Sequence, residues 1–412
     1  MNIIKFFSFI LAISYFSISL ANIDVVEDKK DISEKRNPSI VRRNQGIIQG
    51  DNYKIEGINF SGLIIGELIT SNIDQNKNTR FATKGTYSTF CVPKINLYAT
   101  SNLNEWATAN IGLNFAPTST DCSACGYGGK NDPSRFNKYD KIDEAHIVFA
   151  NQGLSPYYAK VGIQYFNYGL YSPHSVPATF TQLLTQIQAP GVTIGYIPAV
   201  NGLNFSVFSF TDKVKKGSTS KISNFGAQVG YVSSPDSEKM EISLDILKNM
   251  ASSVNYIVSS SQCCINPLYN SYRKVVPGLS LSIKKQFSRF QVKTQVTSAL
   301  SKFDKKDVLW GESGAKPAAL LLDFNYKFSA FNDKQNIVGV NYQKSIQAVN
   351  LKGNYLGRGL PEHRVQAYYS IEAWKNIELG AQIIWDKDYK RKNDGTGKTS
   401  VTSLITLIAK IM

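Results

Sequence analysis

Three sets of residues in this chain have types and spacing that could do chemistry. The first lies between Phe180 and Ile187, where Phe180, Leu183, Leu184 and Ile187 fall at helical spacing. That pattern predicts one short amphipathic helix inside a long connection. Thr181, Gln182 and Gln186 would then face away from its apolar stripe, with His174 just upstream. Neutral hydroxyl and amide groups of this kind replace part of the water around a passing solute, and they do not attack bonds. The second set is Lys160, Lys284, Lys293 and Lys327, which fall on the polar positions of alternating segments. Lysines lining one passage raise the local concentration of anions.

The third set is the five cysteines, at 91, 122, 125, 263 and 264. In an oxidising compartment disulfides are expected before metals. Cys122 and Cys125 could close a small loop, or either could cross-link to Cys263 or Cys264, and spacing does not choose between these. One CxxC beside one adjacent pair is not the paired arrangement of a zinc site, so no metal is expected. Catalysis fares no better. The histidines are His146, His174 and His363. His146 shares a polar face with Glu144, but no nucleophile, base and orienting group come together. The sequence therefore predicts no enzyme, no catalytic residue and no cofactor.

What positions these residues is a rhythm running from about residue 55 to the end. Met240, Ile242, Leu244 and Ile246 alternate with Glu241, Ser243 and Asp245, and Ala107 to Phe115 does the same. Successive strand side chains point to opposite faces, so each such segment has one oily and one wet face. Sixteen segments are predicted as strands: 55–70, 92–101, 104–116, 142–150, 156–166, 191–199, 203–212, 222–232, 239–247, 277–287, 288–299, 317–328, 335–343, 364–374, 376–386 and 400–411. Connections after odd strands are long and those after even strands are short. An even strand count with alternating long and short connections is the mark of a transmembrane antiparallel β-barrel of the outer membrane. The fold class predicted is therefore all-β.

Composition and flanks agree. Lys5 followed by an apolar stretch to Phe16 and then Ser19-Leu20-Ala21 reads as a signal peptide over 1–21. Residues 22–53 carry mixed charge and too few apolar residues for a core, which predicts a flexible periplasmic extension ahead of a barrel over 54–412. No stretch has the roughly 18 apolar residues of a spanning helix, so any crossing is by strands. The last strand ends Ile411-Met412 rather than on an aromatic residue, yet Val401, Ser403, Ile405, Leu407, Ala409 and Ile411 still make a lipid face. The net charge of +15 collects in proposed outer loops, at Lys213, Lys215, Lys216 and Lys221, at Lys302, Lys305 and Lys306, and at Lys387, Lys390, Arg391, Lys392 and Lys398. A basic rim steers anionic solutes toward an opening. Contact with lipopolysaccharide phosphates would use the same residues, and an outer-membrane location argues against nucleic acid.

Over roughly Pro156 to Asp212 the chain resembles the LbtU family of siderophore porins and its relatives in intracellular Gram-negative pathogens. The resemblance is carried by Ala159-Lys160-Val161-Gly162-Ile163-Gln164-Tyr165, Gly169, Tyr171, Thr181-Gln182-Leu183-Leu184, Gly195-Tyr196, and Phe205, Phe208 and Phe210. It departs at Asn167-Tyr168, where the family has a Pro-Phe pair, and no N-terminal coiled coil is evident. The resemblance implies an outer-membrane barrel for iron uptake, with ferric siderophore or ferrous iron as solute, and it brings no catalytic residues. Energised siderophore receptors have 22 strands and a folded plug. The short stretch before the first strand here predicts passage by facilitated diffusion without a plug. In general porins the third outer loop folds into the lumen and narrows it, and the segment 180–187 holds that ordinal place. A helix packed only on its surface neighbours would have the same spacing. The partners expected are outer-membrane lipid and lipopolysaccharide, the barrel-assembly machinery, and in the manner of 16-strand porins a second copy of the chain. A general diffusion porin and a surface adhesin or structural barrel are the competing readings.

Overall fold

Alternation of β-branched and aromatic residues with small polar ones builds a wall with opposite chemistry on its two sides. In this computed structural model the structure describes residues 53–55, 57–72, 87–115, 142–151, 153–169, 178–198, 201–211, 222–233, 239–253, 273–331, 334–349 and 360–411. The wall strands are β1 (Ile58–Ser71), β2 (Tyr87–Asn102), β3 (Ala107–Phe115), β4 (Ile142–Ala150), β5 (Tyr157–Tyr165), β6 (Gln188–Tyr196), β7 (Gly202–Thr211) and β8 (Ile222–Ser233). They continue as β9 (Met240–Leu247), β10 (Gly278–Phe287), β11 (Phe290–Ala299), β12 (Ala318–Ala330), β13 (Lys334–Ile346), β14 (His363–Trp374), β15 (Ile377–Lys387) and β16 (Thr399–Ile411). Each pairs antiparallel with the next. The ring closes where β16 pairs with β1, from Thr402 opposite Ser71 to Ile411 opposite Gly62. A closed ring has no edge, so every strand backbone is satisfied without water.

The side chains are sorted inside out relative to a soluble protein. Val161, Ile194, Val207, Val229, Ile246, Val340, Ile383 and Ile405 are exposed, while Gln164, Thr193, Ser280, Thr297, Asn341, Gln343 and Gln366 are buried. Lipid-facing apolar residues and inward polar residues are what a membrane barrel requires. Exposed aromatics stand at both ends of the wall, with Phe90, Phe115, Phe225 and Trp385 toward the long connections and Phe60, Trp106, Phe149, Tyr157, Phe205, Phe290 and Trp374 at the short-turn end. Tyr196 stacks on Phe205 there, with ring centroids 5.4 Å apart. Rings with an apolar body belong at the level of the lipid headgroups. No described helix is long and apolar enough to cross a membrane, which leaves the strands.

All sixteen predicted segments are strands, and β4 has the predicted bounds. The main shift is β6, which runs over Gln188–Tyr196 rather than 191–199. Its Pro190 sits opposite Ile163 and is exposed. β2 starts at Tyr87 rather than 92, running through Pro93 at a register shift opposite Ile65 to Glu67. Tyr53–Ile55 forms a short strand folded back on β1, so the predicted extension over 22–53 ends in a paired residue. The predicted signal peptide and the rest of that extension lie outside the described residues. So do His174, Cys122, Cys125, Cys263 and Cys264.

Candidate functional site: a loop helix seated across the lumen

The connection between β5 and β6 turns inward. Phe166 and Tyr168 are buried, and Phe166 lies 4.8 Å from Phe210 and 5.3 Å from Phe208, ring centroid to centroid. These two β7 residues face inward, where other strands carry polar groups. With Ile187, Ala189 and Leu247 they form an apolar shelf at the root of the loop. Gly169 follows with φ +85, and its N–H donates to Asp245 Oδ2 at 2.9 Å. A Cβ at Gly169 would stand 2.6 Å from both Thr185 Oγ1 and Gln295 Nε2. Only glycine meets the positive φ and the close approach together.

The predicted helix is present as α1 (Phe180–Thr185). Its N-cap is Thr179, whose hydroxyl accepts from the Gln182 N–H at 3.2 Å, satisfying one of the helix's unpaired donors. α1 packs on β11, β12 and β13. In a ring of sixteen, β13 is the eighth strand on from β5, so the helix rests on the wall opposite its own root. The Phe180 N–H donates to Gln343 Oε1 on β13 at 2.8 Å. The Arg364 guanidinium lies 4.9 Å from the Phe180 ring centroid, and Arg364 is itself gripped by both Asp386 oxygens at 2.7 and 2.9 Å. Phe180 and Leu184 complete an apolar cluster with Met250, Val276, Ala299, Phe303, Ala319 and Leu360, with Trp310 packed against it. The long connections after β9, β11 and β13 thus join the helix at one end of the barrel. That is the outer end by the rule that long loops face outside.

The predicted site residues divide between the helix and the wall. Thr181 is buried, with its hydroxyl 3.2 Å from that of Thr179, whereas Gln182 and Gln186 are half-buried. Lys160 and Lys293 are inward-facing and buried, each 4% exposed, so neither is bathed by lumen water. Lys284 and Lys327 are half-buried. His146 Nδ1 lies 3.5 Å from Glu144 Oε2, on the face they were expected to share. His363 is paired with Tyr342, its Nδ1 2.8 Å from the phenol oxygen.

The helix's docking partners are not visible in the sequence, because Gln343, Arg364 and the short apolar residues at strand ends read as ordinary barrel positions. One available signal is the run Phe205, Val207, Phe208, Phe210. Its apolar residues occupy both faces, as expected of a strand buried on both sides. Elsewhere the wall is tied by side chains. Asp143 accepts from Tyr98 at 3.0 Å and Tyr165 at 2.6 Å. Gln343 donates to Asn341 at 2.9 Å and Asn341 to Gln366 at 3.1 Å. Among the described residues no three His, Cys, Asp or Glu side chains converge as a metal site would.

Against known proteins, no family model matches the chain. A UPF0422 protein of Coxiella burnetii (strain RSA 493 / Nine Mile phase I) is 27% identical over 297 residues, 71% of this chain. The chain spans 58% of the length of that relative. Among solved structures, OprB of Pseudomonas putida superposes with a TM-score of 0.56 at 11% identity, covering 86% of this chain and 94% of that one. The outer-membrane channel DcaP of Acinetobacter baumannii gives 0.52 at 12%, covering 87% and 99%. The anion-selective porin from Comamonas acidovorans gives 0.51 at 10%, covering 86% and 99%. The chain therefore has the fold of an outer-membrane porin, a closed 16-stranded β-barrel. In sequence, the similarity is to the Coxiella burnetii protein, over 71% of this chain.

Proposed function

We propose that the chain is an outer-membrane channel that admits iron, as ferric siderophore or as ferrous ion, by facilitated diffusion. The observation that supports a channel with a selective constriction is α1 seated on the wall opposite its root, which narrows the lumen at the loop end. The iron assignment is supported by the resemblance of residues 156–212 to siderophore porins. That stretch holds β5, the inturned loop, α1, β6 and β7. Half-buried Gln182 and Gln186 are the helix groups suited to replace solute hydration, and the basic loops suit contact with lipopolysaccharide or capture of an anionic chelate. Insertion would depend on the barrel-assembly machinery, and the outer face could seat a second copy.

A general diffusion porin is the second reading, favoured by the uncharged run Gln343, Asn341, Gln366 and Gln382 along the inner wall. Labelled-iron uptake in a deletion strain and its complement tests the proposal. Loss of one iron form, restored by the intact gene, is the expected result. Equal uptake of both forms with and without the gene would end the iron reading.

A further inference from the structure

Across four neighbouring strands the register lines up one inward charge per strand. Glu241 on β9 pairs with Lys284 on β10, Lys284 pairs with Lys293 on β11, and Lys293 pairs with Asp323 on β12. Two ammonium groups directly opposite one another repel, and sheets gain stability by avoiding such pairs. The flanking carboxylates are already engaged. Glu241 Oε1 is 3.8 Å from Lys284 Nζ but only 3.3 Å from Lys239 Nζ. Asp323 Oδ1 accepts from the Tyr368 hydroxyl at 3.1 Å while its charge acts on Lys293. Lys327, four residues along β12 from Asp323, lies within electrostatic reach of Lys284. Lys239, Lys284, Lys293 and Lys327 therefore stand against Glu241 and Asp323, while Asp245, the other inward carboxylate of β9, is taken up by the Gly169 N–H.

Exposure separates their roles. Lys293 is 4% exposed and contributes field rather than contact. The Lys284 side chain is 33% exposed and Lys327 is half-buried, so these two can reach a solute. A fixed positive field beside low-dielectric walls concentrates anions.

We infer that the β9–β12 wall is an anion-binding station that takes the oxyanion groups of a passing solute, carboxylate or phosphate. Lys284 and Lys327 contact the oxygens, and Lys293 holds the field from behind. The inference rests on the channel reading above and deepens it. A station of this kind passes a carboxylate-bearing chelate more readily than a bare divalent cation.

The test is the full chain in a planar bilayer under a potassium chloride gradient, with citrate and inorganic phosphate as probes. Chloride is expected to cross more readily than potassium, and an oxyanion probe is expected to block the chloride current. Lys284→Gln with Lys327→Gln should move the reversal potential toward the cation side and relieve the block, whereas arginine at both positions should keep both properties. Block by citrate alone assigns carboxylate solutes, block by phosphate alone assigns phosphate-bearing ones, and block by both assigns the oxyanion class as a whole. Conduction indifferent to charge, block by neither probe, or a glutamine variant with unchanged selectivity and block overturns the station alone. A folded chain, judged by heat-dependent gel mobility, that inserts and passes no current overturns the channel reading and the station with it.

Discussion

Two residues fix how the inturned loop is held. Gly169 combines positive φ with neighbours that leave no room for a side chain. Gly169→Ala should cost about 1–2 kcal/mol for the left-handed backbone and about 1–3 kcal/mol more for overpacking. The cost falls on the loop, so the readout is a larger single-channel conductance with little change in barrel unfolding. Asp386 grips the guanidinium on which Phe180 rests. Asp386→Asn removes a charge-assisted pair worth about 1.5–3 kcal/mol. A lower urea midpoint for loss of heat-dependent gel mobility, partly recovered by Asp386→Glu, is the expected outcome.

At the scale of elements, α1 is a separable part of the barrel. Leu184 is fully buried among residues of three other loops. Leu184→Ala should cost about 2–5 kcal/mol of local packing energy. No strand pairing depends on it, so single-channel recordings should show a noisier and larger current while circular dichroism keeps its strand signal. The strands themselves were legible because their period is two and one face is always apolar. The misplaced strand starts have a common cause. Each lies beside a proline, which removes a ladder donor, yet the barrel admits Pro190 in an exposed outward position and Pro93 at a register shift. The helix was legible from Phe180, Leu183, Leu184 and Ile187. Its seat was not, since Gln343 and Arg364 lie far along the chain and look like any other lumen residue. The row Glu241, Lys284, Lys293 and Asp323 was half legible. Its lysines fall on polar faces, but their alignment depends on turn lengths such as the two-residue Ser288-Arg289 turn between β10 and β11, with Ser288 at φ 48.

For the whole molecule, the sorting of residues between the two faces is the main stabilising arrangement. Val340 faces lipid at mid-strand, next to the buried inward Asn341. Val340→Arg should cost about 2–4 kcal/mol, the penalty for a charge at the bilayer midplane. Asn341→Asp on the inner face should leave unfolding in lipid vesicles nearly unchanged while altering ion selectivity. If both substitutions shifted stability equally, the assignment of faces would be wrong.

The seat of α1 also sets an order of events during assembly. The Phe180 N–H and its acceptor on Gln343 are 163 residues apart. Contacts of such long sequence separation form late, because the intervening chain has to be organised first. Neither Gln343 nor Arg364 is in place until β13 and β14 have joined the wall. The helix therefore takes its seat only once both halves of the wall, β5 with β6 and β13 with β14, stand in the same ring.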